Sequence, residues 1–295
     1  MPLAVIALDF DPTLHLGDRS VRLETLALAA AVLVMLAIAA LIAGRTPAAA
    51  PGVRLDGDGG HLRRDDLLFI ALGVVPGAVA GGRLVYGLIH LDYYSTVPAA
   101  FLDPGQGSLH LAGAVVGGSV TGSIVARLLE ASVGRWLSAA TVPLLVGLAL
   151  GKFAMALGGA GQGALWDGAW ATSYVRDATW GSLAADLPAH PSQVYEAATA
   201  LAALLLVLLL ARSAPFRRAP ARRYLAAIAL WSLGRLAVAA TWRDAAVLGP
   251  LRAEQLVDLA LCAGCLVLVV VVGRRRAPAA ALAPAWPDPA TRPRF

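Results

Sequence analysis

Four charged side chains lie inside apolar stretches of this sequence, and they are the residues best placed to do chemistry. They are Arg83, Lys152, Glu196 and Arg235. A charge within a membrane helix costs about 3 kcal/mol or more unless it is paired or solvated. Cations from other helices can pair with Glu196, but three cations against one carboxylate leave an excess of positive charge. Such a site is suited to an anion, and the natural anion near the surface of a membrane is a phospholipid phosphate. The alternative is that the charges form salt bridges or extend to the membrane surface, and only hold the structure together.

The segment AHPSQVYEA, residues 189–197, brings further polar groups to the same place. His190, Gln193, Tyr195 and Glu196 directly precede the apolar run 197–211. A membrane helix that begins with a carboxylate must supply partners for it, because an unpaired charge there is costly. The sequence therefore predicts that this segment shares one polar layer with the three cations.

The composition requires an integral membrane protein. The chain has 295 residues and is 58% hydrophobic, with a mean hydropathy of +0.70. Seven apolar segments are long enough to cross a bilayer of roughly 30 Å, and in lipid they must be helices because each backbone group needs an internal partner. The predicted fold is an all-α bundle of seven transmembrane helices. The predicted segments are 21–43, 67–91, 109–129, 139–157, 191–211, 223–241 and 253–273.

The distribution of Lys and Arg predicts the orientation of the chain. Sixteen of the 24 Lys and Arg residues fall in four alternate connections, and five fall in the N-terminus and the other connections. Basic connections face the cytoplasm, so the N-terminus is predicted outside and the C-terminus in the cytoplasm. The basic loops are then explained by the way the chain inserts into the membrane. They therefore give no reason to predict a nucleic-acid partner. The basic connections are 44–66, 127–138, 212–223 and 273–295.

The same orientation places the polar residues at one depth. The helices that carry Arg83, Lys152 and Arg235 all run from inside to outside, and each cation lies near the outer end of its helix. At 1.5 Å per residue, all three fall in the outer half of the membrane. The helix of Glu196 runs in the opposite direction and begins in this layer.

Residues 1–276 are predicted to form one transmembrane domain, and the Ala- and Pro-rich residues 277–295 a disordered cytoplasmic tail. The outer loop 158–190 is rich in aromatic residues. It is either a lid over the polar site or an aromatic belt at the lipid–water boundary. These aromatic residues are Trp166, Trp170, Tyr174 and Trp180.

Small residues have mainly packing interpretations. Cys262 and Cys265, three apart in an apolar run, are predicted to be packing residues. The sequence predicts no metal site and no cofactor, and the glycines of GGAGQG, 158–163, lack the Lys-Ser/Thr pair of a phosphate loop. Several GxxxG spacings indicate close helix contacts, although glycine is common in this chain. They are Gly77/Gly81, Gly113/Gly117, Gly118/Gly122 and Gly147/Gly151.

Several motifs together resemble the prolipoprotein diacylglyceryl transferase family. HPSQVYE at 190–196 resembles the most distinctive motif of that family, and GGRLVY at 81–86 is similar to its second-helix motif. The matching order continues over residues 9–273. The further matches are DFDP at 9–12, GQGSLHLAG at 105–113, Arg235 in GRLAV, and Glu254-Gln255.

The resemblance implies a multi-pass enzyme of the bacterial cytoplasmic membrane. Its partners are membrane lipids, with phosphatidylglycerol as donor and the lipobox cysteine of a prolipoprotein signal peptide as acceptor. The products are a thioether and glycerol phosphate. The resemblance implies that Arg83, Arg235, Lys152, Gln193 and Tyr195 bind phosphatidylglycerol. It also implies that Glu196, His190 and His110 are the catalytic residues.

The sequence departs from the family at several polar positions. The family histidine position is Leu111, with His110 one residue early, and the family arginine of the fourth helix is Lys152. Three functions therefore stay open: this transferase, a related protein that binds anionic phospholipid without catalysis, and a transferase or lipase with another acceptor. The other polar family positions are occupied by Leu26, Met155, Ala164 and Ala239.

Overall fold

A computed structural model describes residues 5–48, 62–103, 109–175 and 187–274. The tail 277–295 and Trp180 lie outside the described residues, so the prediction of a disordered tail stays a prediction. The described chain contains nine α-helices, seven of which are long and apolar enough to cross a membrane. In chain order they are α1 (Leu23–Ala43), α2 (Arg64–Ile89), α3 (Leu91–Thr96), α4 (Leu111–Leu128), α5 (Val133–Ala156), α6 (Ser192–Leu210), α7 (Ala214–Arg218), α8 (Ala221–Val238) and α9 (Ala253–Arg274).

The long helices confirm the predicted class of a seven-helix membrane bundle. Their ends agree with the predicted ones to within three residues, except that α5 begins at Val133 instead of 139. The sequence VGRWLS, 133–138, falls in the predicted basic connection 127–138. In the structure Trp136 of this turn is buried and Arg135 donates to Pro47 O at 2.7 Å, which extends the helix. The orientation of the chain across the membrane stays a prediction.

Three small two-stranded sheets lie in the segments that connect or precede the long helices. Strand β1 (Ile6–Leu8) pairs in parallel with β4 (Thr172–Tyr174). The other two sheets are hairpins, formed by β2 (Thr13–Leu16) with β3 (Arg19–Arg22) and by β5 (Ala246–Leu248) with β6 (Leu251–Arg252). The β1–β4 pair fastens the segment before α1 to the loop that leads into α6.

Helices α2 and α4 touch backbone to backbone through two GxxxG spacings. A Cβ added at Gly81 would lie 2.4 Å from Gly113 O, and one added at Gly117 would lie 2.1 Å from Gly77 O. Only glycine permits such an approach, as expected for small residues at a membrane helix interface. This pair of helices therefore forms one closely packed unit.

Helix α8 has the largest share of buried residues among the seven long helices. It packs against α5, α6 and α9, and its Trp231 is almost fully buried in the main apolar cluster. Cys262 and Cys265 are free, buried thiols in a neighbouring cluster with Tyr224, in agreement with their predicted packing role. The central position of α8 brings Arg235 to the middle of the bundle.

Candidate functional site

Glu196 lies near the start of α6 between cations from two other helices. Lys152 Nζ on α5 donates to Glu196 Oε1 at 2.9 Å, and Arg235 Nη1 on α8 donates to Oε2 at 2.9 Å. The carboxylate is buried, with only 4% of its side chain exposed. Both of its oxygens are thus used, which explains how a carboxylate is accommodated at the beginning of a membrane helix.

Arg235 also binds two carboxylates of α9. Its Nε lies 3.2 Å from Asp258 Oδ1 and 3.3 Å from Oδ2, and its Nη2 donates to Glu254 Oε2 at 3.2 Å. The rings of Trp231 and Trp242 lie with their centroids 5.3 and 5.1 Å from the guanidinium carbon. Arg235 is therefore held by three carboxylates and two aromatic faces.

His110 joins this group from the start of α4. It is the N-cap residue of that helix, and its Nδ1 accepts a hydrogen bond from Gly113 N at 3.2 Å. Its Nε2 lies against Glu254 Oε2. Because Nδ1 acts as an acceptor, a neutral imidazole carries its proton on Nε2, directed at the carboxylate. We call the six residues of this contact group the polar cluster: His110, Lys152, Glu196, Arg235, Glu254 and Asp258.

Arg83 lies beside the polar cluster. His110 N donates to Gly82 O at 3.0 Å, so the α2 turn that carries Arg83 meets the start of α4 in the same layer. The guanidinium of Arg83 donates to Phe101 O at 2.8 Å and to Ala100 O at 3.2 Å, and also to Asp103 O. Arg83 thereby fastens the segment after α3 to α2.

The charge balance of the polar cluster corrects the sequence prediction. We expected one carboxylate against three cations, but the cluster contains three carboxylates, Glu196, Glu254 and Asp258. They face two permanent cations, Lys152 and Arg235, together with the imidazole of His110. The expected excess of positive charge is therefore wrong for the polar cluster. The error came from omitting the acidic residues of the last helix.

Sequence reasoning missed Asp258 entirely and gave Glu254 no role. A signal was available, because the two residues are four apart near the start of a predicted helix and must therefore lie on one face. That helix runs in the same direction as α6, so its first turns lie in the layer of Glu196. A depth count that included both acids would have placed them beside Arg235.

The remaining residues of the 190–196 motif contact the loop before α6. The imidazole of His190 stacks on the ring of Trp166, with centroids 4.4 Å apart and planes at 8°. Burial lowers the pKa of His190, so the stacked ring is neutral at pH 7. Tyr195 OH accepts a hydrogen bond from Trp170 Nε1 at 2.6 Å. Two aromatic residues of the loop thus cover two residues of the motif.

Gln193 is buried in a hydrogen-bonded chain. Its Nε2 donates to Tyr174 OH at 3.1 Å, and that hydroxyl donates to Ala156 O at 2.7 Å. Burial raises the pKa of Tyr174. Its phenol therefore stays protonated and can donate the hydrogen bond to Ala156 O. Gln193 Oε1 has no hydrogen-bond partner within the described ranges. A ligand hydroxyl is a partner that this acceptor fits.

The glycine segment 158–163 packs onto the motif through its backbone. Gly163 N donates to His190 O at 2.8 Å, and Arg243 Nε donates to Gly163 O at 2.6 Å. A Cβ at Gly163 would lie 2.2 Å from Ser192 Oγ, so the approach requires glycine. The described part of the loop therefore lies over the motif, while its function as a lid stays a prediction.

Two cavities flank the α2–α4 pair. The larger, of about 1140 Å³, lies between α2, α4 and α9 and is mostly apolar, with Arg83, Asp103 and Thr121 as its polar lining residues. Its wall includes Ala112 and Gly113, next to His110, and Val257, one turn from Glu254. The second, of about 400 Å³, lies between α1, α2, α4 and α5. The larger cavity can hold an acyl chain with a polar head near Arg83.

Within the described ranges, no group of three or more His, Cys, Asp or Glu side chains could hold a metal ion. The carboxylates of the polar cluster are instead turned toward Arg235 and Lys152.

Comparison with known proteins gives a consistent family assignment. The family model for prolipoprotein diacylglyceryl transferase matches residues 12–271. A phosphatidylglycerol–prolipoprotein diacylglyceryl transferase of Bacillus cytotoxicus is 26% identical over 70% of this chain and 77% of its own length. Proteins of the same name from Trichormus variabilis and Synechococcus elongatus are each 26% identical. The first match covers 88% of both chains and the second 93% of both.

Proposed function

The chain belongs to the prolipoprotein diacylglyceryl transferase family, and from this premise we propose that it transfers a diacylglyceryl group from phosphatidylglycerol to the lipobox cysteine of a prolipoprotein. The reaction takes place at the outer side of the bacterial cytoplasmic membrane, with the N-terminus outside and the C-terminus in the cytoplasm. The observation that carries this proposal is the apolar cavity of about 1140 Å³ that has Arg83 at its edge. The lining of the cavity includes Leu109, Ala112 and Gly113, which are neighbours of His110 in the chain.

The chemistry joins a sulfur atom to the glyceryl carbon of the donor. The cysteine thiol loses its proton, since the thiolate is the nucleophile. The thiolate attacks the glyceryl carbon that bears the phosphate. A carbon–sulfur bond forms, the carbon–oxygen bond to the phosphate breaks, and glycerol phosphate leaves. Cations near the phosphate stabilise the leaving group.

The five proposed donor-binding residues fall into three groups by their contacts. Arg83 lies at the edge of the apolar cavity, so it is placed to attract the phosphate of a lipid whose chains occupy that cavity. Lys152 and Arg235 are already paired with carboxylates, so they act by fixing the polar cluster and by their field. Gln193 and Tyr195 organise the head group, and the unpartnered Gln193 Oε1 accepts one of its hydroxyls.

The three proposed catalytic residues differ in which of their polar atoms remain free to take part in proton transfer. Glu196 has both oxygens engaged, which suits an orienting role toward Lys152 and Arg235. His190 is neutral and stacked on Trp166, which suits it to orient the loop or to shuttle a proton. His110 presents its Nε2 to Glu254 and is tied to that carboxylate.

The proposed reaction is tested by turnover of the purified protein in nanodiscs. Phosphatidylglycerol and a lipobox peptide should give a thioether-linked diacylglyceryl peptide, detected by mass spectrometry, together with glycerol phosphate. A peptide with serine in place of the cysteine should give no product, since the weaker nucleophile does not replace the thiolate. Lipid binding without product would favour the related protein that binds anionic phospholipid without catalysis. Product only with a different acceptor would favour a transferase or lipase with another acceptor.

Binding of the donor phosphate by Arg83 gives a second prediction. Arg83→Ala should weaken binding of phosphatidylglycerol about tenfold or more, the value of a charge-assisted hydrogen bond, while phosphatidylcholine binding changes little. Arg83→Lys is the matched control, because it keeps the charge but not the three bonds to the carbonyls of residues 100–103. Lipid titrations of the protein in nanodiscs measure both. Equal weakening for the two lipids would show that Arg83 only holds residues 100–103 in place and does not bind the phosphate.

A further inference from the structure

The three carboxylates of the polar cluster are not equivalent. Glu196 uses both oxygens and is 4% exposed, and Asp258 is fully buried with both oxygens near Arg235 Nε. Glu254 uses only Oε2, which meets both His110 and Arg235, and its side chain is 22% exposed. Its Oε1 has no hydrogen-bond partner in the part of the chain that the structure describes. Glu254 is therefore the carboxylate of the cluster with an oxygen left to contact a ligand.

His110 cannot readily replace Glu254 as the group that receives a proton. As the N-cap of α4, it uses Nδ1 to accept from Gly113 N, so its proton lies on Nε2, against Glu254. The lone pair of the imidazole is thus occupied by the backbone. The cap fixes the ring so that Nε2 lies against Glu254 Oε2.

The first turns of α9, which carry Glu254, border the larger cavity through Val257 and Leu261. Val257, one helical turn further along the same face of α9, lines that cavity, as do Ala112 and Gly113 beside His110. Glu254 is the carboxylate of the polar cluster most open to a ligand, with 22% of its side chain exposed, since Asp258 and Glu196 are almost completely buried. The other charged groups around Glu254 are His110 on α4, Arg235 on α8, Asp258 on α9 and, further away, Lys152 on α5.

We propose that Glu254 is the proton acceptor of the reaction, and that His110 and Arg235 position it by holding Oε2. The inference rests on the proposed function. The acceptor S–H bond breaks and its proton moves to Glu254 Oε1. The electron pair left on sulfur forms the bond to the glyceryl carbon, and the pair of the broken carbon–oxygen bond leaves with glycerol phosphate. Glu254 then releases its proton to that phosphate or to water, which returns the carboxylate to its starting state.

Removal of this charge should leave a folded protein. Without Glu254, the charges of Lys152 and Arg235 are balanced by Glu196 and Asp258. Glu254→Gln also keeps the shape of the side chain and an oxygen that can accept from His110. A loss of turnover in this variant can therefore be separated from a loss of structure.

The first test compares Glu254→Gln with Glu130→Gln, the same acid-to-amide change on an exposed residue just beyond the far end of α4. With phosphatidylglycerol and a lipobox peptide, kcat should fall about 100-fold or more in Glu254→Gln. Phosphatidylglycerol binding and the unfolding temperature in nanodiscs should stay close to wild type. Glu130→Gln should match wild type throughout. If Glu254→Gln keeps kcat within threefold while wild type is active, Glu254 is not the proton acceptor.

The second test distinguishes proton transfer from support of the structure. In Glu254→Ala, added acetate should restore part of the turnover by supplying a carboxylate in the space that the side chain leaves, and the effect should saturate with acetate concentration. The acidic limb of the kcat–pH profile should be lost in the variant and return with acetate. Absence of rescue, with lipid binding intact, would contradict the proposal. Absence of thioether product from wild type would overturn the proposed function, and with it this inference.

Discussion

Arg235→Ala is expected to lower the free energy of unfolding by about 3–5 kcal/mol, the cost of removing one partner from a buried ion pair. Arg235 binds Glu196, Glu254 and Asp258 at once. Without it, three carboxylates of the bundle interior face each other with Lys152 as the remaining permanent cation. Turnover should fall below detection as well, because the removal of Arg235 also frees Glu254 and Glu196 from their fixed positions.

This result can be checked by unfolding the variants in the same detergent and following tryptophan fluorescence. Arg127→Ala, which removes an exposed cation from the last turn of α4, should unfold at the wild-type temperature. The triple change Arg235→Met, Glu254→Gln and Asp258→Asn leaves the Lys152–Glu196 pair balanced. It should recover most of the lost stability but no turnover. A wild-type unfolding temperature for Arg235→Ala would contradict the central role of Arg235 in the bundle.

The sequence could predict the helices and the contact of Glu196 with Lys152 and Arg235. Both depend on a single quantity, the depth of each residue in the membrane. Hydropathy fixes where each span begins and ends. Counting 1.5 Å per residue from those ends then places charged residues in layers. Lys152, Arg235 and Glu196 shared a layer by this count, and the structure brings them into direct contact.

The rest of the site depends on features that depth does not describe. His110 is one residue from the family position, and a shift of one residue in a helix turns a side chain by about 100°. This rotation does not apply to His110, because His110 lies at the N-cap, outside the regular helix. The extended backbone there directs its ring to Glu254. Neither the cap geometry nor the choice of partner follows from the order of residues alone.

Helix α9 supplies carboxylates that the motif comparison alone does not place beside Arg235. Ala239 and Leu111 stand where the resemblance implies an acid and a histidine, so the sequence alone left open whether catalysis is retained. In the structure, Glu254 and Asp258 bring carboxylates to Arg235 from α9, and His110 brings the imidazole from the cap of α4.

Gly117→Ala is expected to reduce the free energy of unfolding by about 1–3 kcal/mol, the cost of overpacking a close interface. The added methyl group would lie 2.1 Å from Gly77 O and 2.9 Å from Gly81 Cα. Both contacts are with backbone of α2, which cannot rotate away as a side chain could. Helices α2 and α4 must therefore separate, which also widens the cavity that Gly77, Gly81 and Gly117 line and displaces Arg83.

Gly264→Ala is the matched control, since it makes the same change in the interior of α9, where a Cβ would meet nothing within 4 Å. Alanine is favoured over glycine in a helix by about 1 kcal/mol, so this variant should be unchanged or slightly more stable. The two substitutions should thus differ in sign in one unfolding assay. Because Gly117 lines the larger cavity, its variant should also bind phosphatidylglycerol less well. Gly117 is not part of the polar cluster, so the pH dependence of the residual turnover should stay that of wild type. An equal response of the two variants would show that the contact between α2 and α4 is looser than their backbones indicate.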